Sequence, residues 1–223
     1  MSLIVPAVIP ESKEQLLRSL SLFHTFTDEI QIDIVDGVFV PAKSWPLTES
    51  DAEGNLEEML DGIALPGMKI ELDLMIKDPE RVLTEWLTIV PTRVVVHVES
   101  TNNLPEIFAH KMMHGYVLGL SCNNDTDISV LDTFPRGSFD YVQLMGIKDI
   151  GVQGQPFDER VLTRIKEIKA AHPSLEVSID GSVNETTLPL LKEAGADRFV
   201  VGSAILSAES PEAMYNNLVA LAK

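Results

Sequence analysis

A chain of 223 residues with 34 acidic and 17 basic side chains carries a formal net charge of −17, and repulsion on that scale excludes a nucleic-acid backbone or an anionic membrane surface as partner. Hydrophobic residues make up 45% of the sequence, enough for a large core, and the single Cys122 excludes an intrachain disulfide and a thiolate metal cluster. The length suits one closed α/β barrel, so a single domain over residues 1–223 is expected. The apolar run Leu3 to Pro10 is too short for a membrane span and lacks the basic flank of a signal peptide, so a cytoplasmic protein is expected.

Leu3 to Ile9 reads as a first strand, and Pro10-Glu11-Ser12 opens a helix with Leu16, Leu17, Leu20 and Phe23 at helical spacing. Ile30 to Ile34 alternates strictly, with Ile30, Ile32 and Ile34 on one side of a strand and Gln31 and Asp33 on the other, before an Asp-Gly turn. A long connection, including the polar run Thr48 to Asn55, leads to a helical segment near Leu56 to Ile63, and loops of that length often cover a site. Met68 to Met75 is a third strand, and Asp78-Pro79-Glu80 predicts a helix start with Asp78 as N-cap.

Arg93 to Val98 reads as a fourth strand with Val95 and His97 on the same side, followed by a weak helical pattern. Tyr116 to Ser121 and Phe139 to Met145 are strands five and six, separated by a segment around Asp127 to Phe134. Pro156 to Ala171 is amphipathic, Leu175 to Asp180 alternates as strand seven, and a helix from Asn184 runs to Gly195 with Pro189 in its first turns. Arg198 to Val201 is strand eight, ahead of a last helix capped at Ser210-Pro211-Glu212.

Eight strands alternating with eight helical segments predict a parallel sheet closed as a (β/α)8 TIM barrel. The active face would then carry the C-terminal strand ends: Asp33, Asp73, His97, Asn123, Met145, Asp180 and Gly202-Ser203. An inward aspartate is costly unless paired, hydrogen-bonded or metal-bound. Any one of Asp33, Asp73 and Asp180 reads as readily as a structural acid, but three on one face suggest either a hard-metal site or a pair of acids flanking a substrate. Asp180-Gly181-Ser182 and Val201-Gly202-Ser203 end strands seven and eight, where such barrels bind phosphate, and Gly151 and Gly154 would close over the same group. His97 reads first as a hydrogen-bonded core residue, and Met75 and Met145 as packing. The remaining histidines, His24, His110, His114 and His172, fall in or beside predicted helices and read as surface or interface residues.

The stretches Asp33 to Pro41, Asp73 to Glu80, His97 to Glu99, Ile179 to Asn184 and Val201 to Ile205 together resemble the ribulose-phosphate 3-epimerase family. The resemblance runs from about Ile4 to the last helix. It implies a TIM barrel that inverts one carbinol centre of a ketopentose phosphate, with two opposed aspartates and a divalent metal. By resemblance Asp33 and Asp180 are the acid/base pair, Met75 and Met145 wall the site, and phosphate lies on Gly154, Gly181, Ser182, Gly202 and Ser203. A phosphorylated sugar as ligand and a homo-oligomeric state follow from the same likeness.

The chain departs from the family at Gln31 and Asp73, where the family has metal-binding histidines, and at Ala7, where it has a serine. The loop Lys148 to Gln155 keeps only the end of the family's glycine-rich run. An oxygen donor set of Asp33, Asp73 and Asp180 suits Mg2+ or Mn2+ over Zn2+, with loss of the metal as the other outcome. Two function classes stay open: a sugar-phosphate epimerase, and a non-catalytic or regulatory phosphosugar-binding barrel. A related decarboxylase or aldolase ranks last, because Met75 stands where those resemble D-x-K-x-x-D.

Overall fold

A computed structural model describes residues 4–49, 55–63, 66–152 and 154–223. Among them eight parallel strands close a barrel in sequence order: β1 Ile4–Val8, β2 Glu29–Val35, β3 Lys69–Met75, β4 Arg93–His97, β5 Val117–Cys122, β6 Tyr141–Met145, β7 Glu176–Asp180 and β8 Arg198–Val201. Helical crossovers surround them, which makes the architecture the expected (β/α)8 barrel. Leu3 of the expected first strand and residues 50–54 of the polar run lie outside the described residues.

Residues Ala7–Leu118 form one compact unit. Here the end of β1 pairs with β2 through Ala7 and Val8. Strand β2 pairs with β3 at seven positions, Gln31 with Glu71 and Asp33 with Asp73 among them, and β3 pairs with β4 from Glu71 and Arg93 onward. Helix α1 (Lys13–Phe23) starts where Ser12 Oγ accepts from the Gln15 amide at 3.2 Å, and it buries Leu16, Leu20 and Phe23. Each such side chain contributes about 1.5–3 kcal/mol by leaving water.

The strong start signal at Asp78 does not give a long helix. Asp78 takes a left-handed conformation (φ 50°) with no side-chain capping bond. The chain passes through a 3-10 turn (Pro79–Arg81), one α-turn and a second 3-10 turn (Leu87–Ile89). After α2 (Leu56–Leu60), that α-turn is α3 (Leu83–Trp86). Tertiary burial of Pro79, Leu83, Trp86 and Ile89 overrides the local pattern. Conversely, the weak pattern after β4 gives a regular helix, α4 (Leu104–His114), closed by Gly115 at φ 78°.

The second unit comprises Gly119–Lys223 with the N-terminal residues up to Pro6. In it β8 pairs with the start of β1, and β5 through β8 pair in sequence. The segment between β5 and β6 is a 3-10 helix (Ile128–Thr133), begun by Asp127 accepting from the Ser129 amide. Helices α5 (Arg160–Ala171), α6 (Thr187–Ala194), α7 (Ser203–Leu206) and α8 (Pro211–Ala222) complete it. Ser210 caps α8 through the Ala213 amide, as its Ser-Pro-Glu start predicted. Among the described residues no helix is long and apolar enough to cross a membrane.

Gly119 of β5 faces its register partner Tyr141 of β6 so closely that a Cβ there would lie 2.3 Å from the phenol ring. The missing side chain is the space Tyr141 fills. Gly119→Ala is therefore expected to displace Tyr141 and cost roughly 1–3 kcal/mol of stability; urea unfolding with an unchanged midpoint would refute the packing argument.

Candidate active site

Three adjacent strands place a column of polar side chains inside the sheet. Gln31 and Asp33 share one side of β2 because alternate residues point the same way, and the register sets Glu71 beside Gln31 and Asp73 beside Asp33. Asp33 is 5% exposed, and Gln31, Glu71 and Asp73 are fully buried. Each of the three carboxylates is met by a nitrogen. Gln31 Nε2 donates to Asp33 Oδ1 at 2.7 Å. Arg93 Nε, from β4, donates to Glu71 Oε2 at 2.7 Å, with both side chains buried. His97, at the end of β4, holds Nε2 3.2 Å from Asp73 Oδ1.

The expected structural histidine is thus a buried one in contact with a site carboxylate, and the Phe39 ring lies against it at 5.4 Å between centroids. Phe39 is presented by the loop after β2. Asp36 Oδ1 accepts from the Val38 and Phe39 amides at 2.8 Å, and its Oδ2 from the Lys77 amide at 2.7 Å. The Asp36-Gly37 turn requires glycine: Gly37 has φ 76°, and a Cβ there would lie 2.7 Å from Lys43 Cγ. Buried Ser44 closes the loop, its Oγ accepting from the Val35 amide while its own amide donates to the Val35 carbonyl.

Met75 ends β3 and Met145 ends β6, both buried as expected of packing residues. Asp180 ends β7 beside its register partner Met145 and is half-buried. The Gly146 amide donates to the Asp180 carbonyl at 2.6 Å, and a Cβ on Gly146 would lie 2.1 Å from the Gly181 carbonyl oxygen. Only glycine fits there. Gly181 and Ser182 follow with φ 95° and 55°. Gly202 precedes α7, whose first residue is Ser203, and Gly154 (φ 75°) lies in the loop before α5.

That loop is fastened at its base by residues the sequence did not flag. Asn124 Nδ2 approaches the carbonyls of Met145 and Ile147 and the Asp158 carboxylate at 2.9, 3.3 and 3.0 Å. The Asp158 amide donates to the Gly146 carbonyl. Arg160 grips the Asp158 carboxylate through Nε at 3.0 Å to each oxygen. This guanidinium, more than any other group, holds the Asp158 carboxyl below the usual carboxylate range.

Asp33, Asp73 and Asp180 each offer a carboxylate oxygen, and these atoms lie within 4.8 Å of one another. Three carboxylate oxygens in that arrangement could coordinate a divalent cation. Largely buried acids beside glycine-rich strand ends, on a closed parallel barrel, define a (β/α)8 protein of the sugar-phosphate-binding type.

Comparison with known proteins narrows the class. The model of the "Ribulose-phosphate 3 epimerase family" matches residues 3–206, and the chain belongs to that family. It is 32% identical over 184 residues to the ribulose-phosphate 3-epimerase of Bacillus subtilis, covering 80% of this chain and 79% of that protein. The enzyme of the same name from Mycobacterium tuberculosis is 28% identical over 218 residues, with 95% and 89% covered. Among solved structures, a 3-hexulose-6-phosphate synthase superposes with a TM-score of 0.71 at 18% identity over 99% of both chains. The 3-keto-L-gulonate-6-phosphate decarboxylase of Vibrio cholerae superposes at 0.69 and 12%, over 99% of this chain and 96% of that one. Both structures bear on the fold alone. At 28% and 32% identity to the two epimerases, the chain is a divergent member of its family.

Two outcomes follow from this geometry. Removing one partner of a buried ion pair strands the other's charge, so Arg93→Met is expected to cost about 3–5 kcal/mol; urea unfolding checks it, and a loss near zero would refute a charge balance resting on that pair. Because the Asp158 carboxyl is lowered in the folded state, its stabilisation is complete above the ordinary carboxylate value and lost as pH falls through the lowered one. Thermal unfolding from pH 6 down to pH 2 should therefore show a smaller acid loss in Asp158→Asn than in the parent.

Proposed function

We propose that the chain is a sugar-phosphate epimerase that inverts a carbon next to a ketone by proton transfer between Asp33 and Asp180. The observation that supports this most is the convergence of Asp33, Asp73 and Asp180 in a member of an epimerase family. One aspartate, ionised, takes the proton from the carbinol carbon, whose electron pair delocalises into the ketone as an enediolate. The other, protonated, returns a proton to the opposite face, and the ketone re-forms with inverted configuration. Protein proton inventory is unchanged, since one acid gains what the other gives.

The remaining assignments follow the family. The phosphate is held by Gly154, Gly181, Ser182, Gly202 and Ser203, on backbone amides and hydroxyls, so the overall negative charge of the chain does not oppose it. Met75 and Met145 form apolar walls that keep water from the enediolate. Asp33, Asp73 and Asp180 hold the cation, Mg2+ or Mn2+ in preference to Zn2+, because the donors are all oxygen. When bound, such an ion supplies Lewis-acid charge worth several kcal/mol to an enediolate-like transition state. The protein acts in the cytoplasm as a homo-oligomer, on a phosphorylated sugar and without nucleic acid.

A second reading, a regulatory phosphosugar-binding barrel, is favoured by specific residues: Gln31, Asp73 and Ala7 replace three groups that serve the family's metal and substrate. Incubation with ribulose 5-phosphate and other ketose phosphates in D2O, with Mg2+, Mn2+, Zn2+ or none, decides between the two. Deuterium is expected to enter the carbon with Mg2+ or Mn2+ and to be abolished by Asp180→Asn. Binding of the sugar phosphates without exchange under any metal would establish the regulatory reading instead.

A further inference from the structure

The side chain of Gln31 is fully buried two residues before Asp33 on β2, with Nε2 2.7 Å from Asp33 Oδ1. We infer that Gln31 is a positioning residue: its amide holds Asp33 Oδ1 and so fixes how that carboxylate is turned toward the reacting carbon. The role of Asp33 as acid/base rests on the epimerase reading; the hydrogen bond does not.

The amide lies between a small neighbour and an acidic one. Its register partner on β1 is Ala7, too small to offer a polar atom from its side chain. Its partner on β3 is Glu71, one of whose oxygens is already taken by Arg93 at 2.7 Å. Asp33, on the same side of β2, is a buried carboxylate that needs donors.

The chemistry of the group fits this use. A primary amide nitrogen carries two donors and no available lone pair, so through Nε2 Gln31 can hold a carboxylate but cannot ligate a metal. The contact adds no charge to a site that already has three acids. It also fixes the plane of the Asp33 carboxylate, which sets where its oxygens point. A carboxylate free to turn about its Cβ–Cγ bond would lose that aim, and a misplacement of about 1 Å can cost a hundredfold in rate.

The test has two arms. In 15N-glutamine-labelled protein, the Gln31 side-chain amide protons, identified by their loss in Gln31→Leu, should be shifted downfield and slow to exchange with water. Asp33→Ala should return them to ordinary positions. Amide protons that exchange as in an exposed glutamine, or that ignore Asp33→Ala, would overturn the inference whatever the protein catalyses. In the kinetic arm, Gln31→Leu should lower kcat for proton exchange about a hundredfold while KM holds within about threefold, and Gln31→His, which restores a donor, should regain part of it. An unchanged kcat in a folded Gln31→Leu protein also overturns it; if that variant does not fold, Gln31→Met, close in size and lacking the donor, replaces it. Absence of exchange in the parent protein defeats the epimerase reading, and the amide resonances then decide on Gln31 alone.

Discussion

Burying carboxylates inside a barrel sets the constraint that orders this molecule. Asp33, Glu71 and Asp73 sit on neighbouring strands at 5% exposure or less, where an uncompensated charge would be expelled or neutralised. Each is answered by a different nitrogen: the amide of Gln31, the guanidinium of Arg93 and the imidazole of His97. The parallel register makes this feasible, because it sets Gln31 beside Glu71 and Glu71 beside Arg93, so a donor and an acceptor alternate across the sheet. The polar column divides by depth along the strands. Glu71 and Arg93 form a buried floor, and Asp33, Asp73 and His97 stand at the C-terminal strand ends where such barrels do their chemistry.

Above that column, the backbone rather than the side chains supplies precision. Asp36 ties the loop after β2 to the chain following β3 through three amides, and so brings Phe39 against His97. Gly146 occupies a place between β6 and β7 that no other residue can enter, and its amide holds the Asp180 carbonyl. Asn124 and Asp158 then fix the two ends of the next loop to the same point. The loops after β2 and β6 are thereby held at both ends by hydrogen bonds.

Much of this was legible in order along the chain. The alternation of Ile30, Ile32 and Ile34 against Gln31 and Asp33 located β2 and its inward acid, and the eight βα repeats implied closure. Local signals failed where packing competes with them. Asp78-Pro79-Glu80 is a strong helix start, yet the segment folds as 3-10 turns around a four-residue α-helix because Trp86 and Ile89 must reach the core. The weak pattern of Leu104–His114 gave a regular 11-residue helix. His97 read as a core histidine, which its burial supports; that its neighbour would be Asp73 could not be read from either residue alone.

By itself, the sequence determined the strand and helix periods, the three inward aspartates and the family, because periodicity and motif are properties of neighbouring residues. Which charges meet was decided only in three dimensions. Arg93 finds Glu71 across 22 residues and Asn124 finds Asp158 across 34, pairings fixed by strand register and loop closure that no local pattern encodes. Gln31 shows both sides of the matter. Its place on the inner side of β2 follows from alternation, while its bond to Asp33 is set by the rotamers that the two buried side chains adopt in the folded sheet.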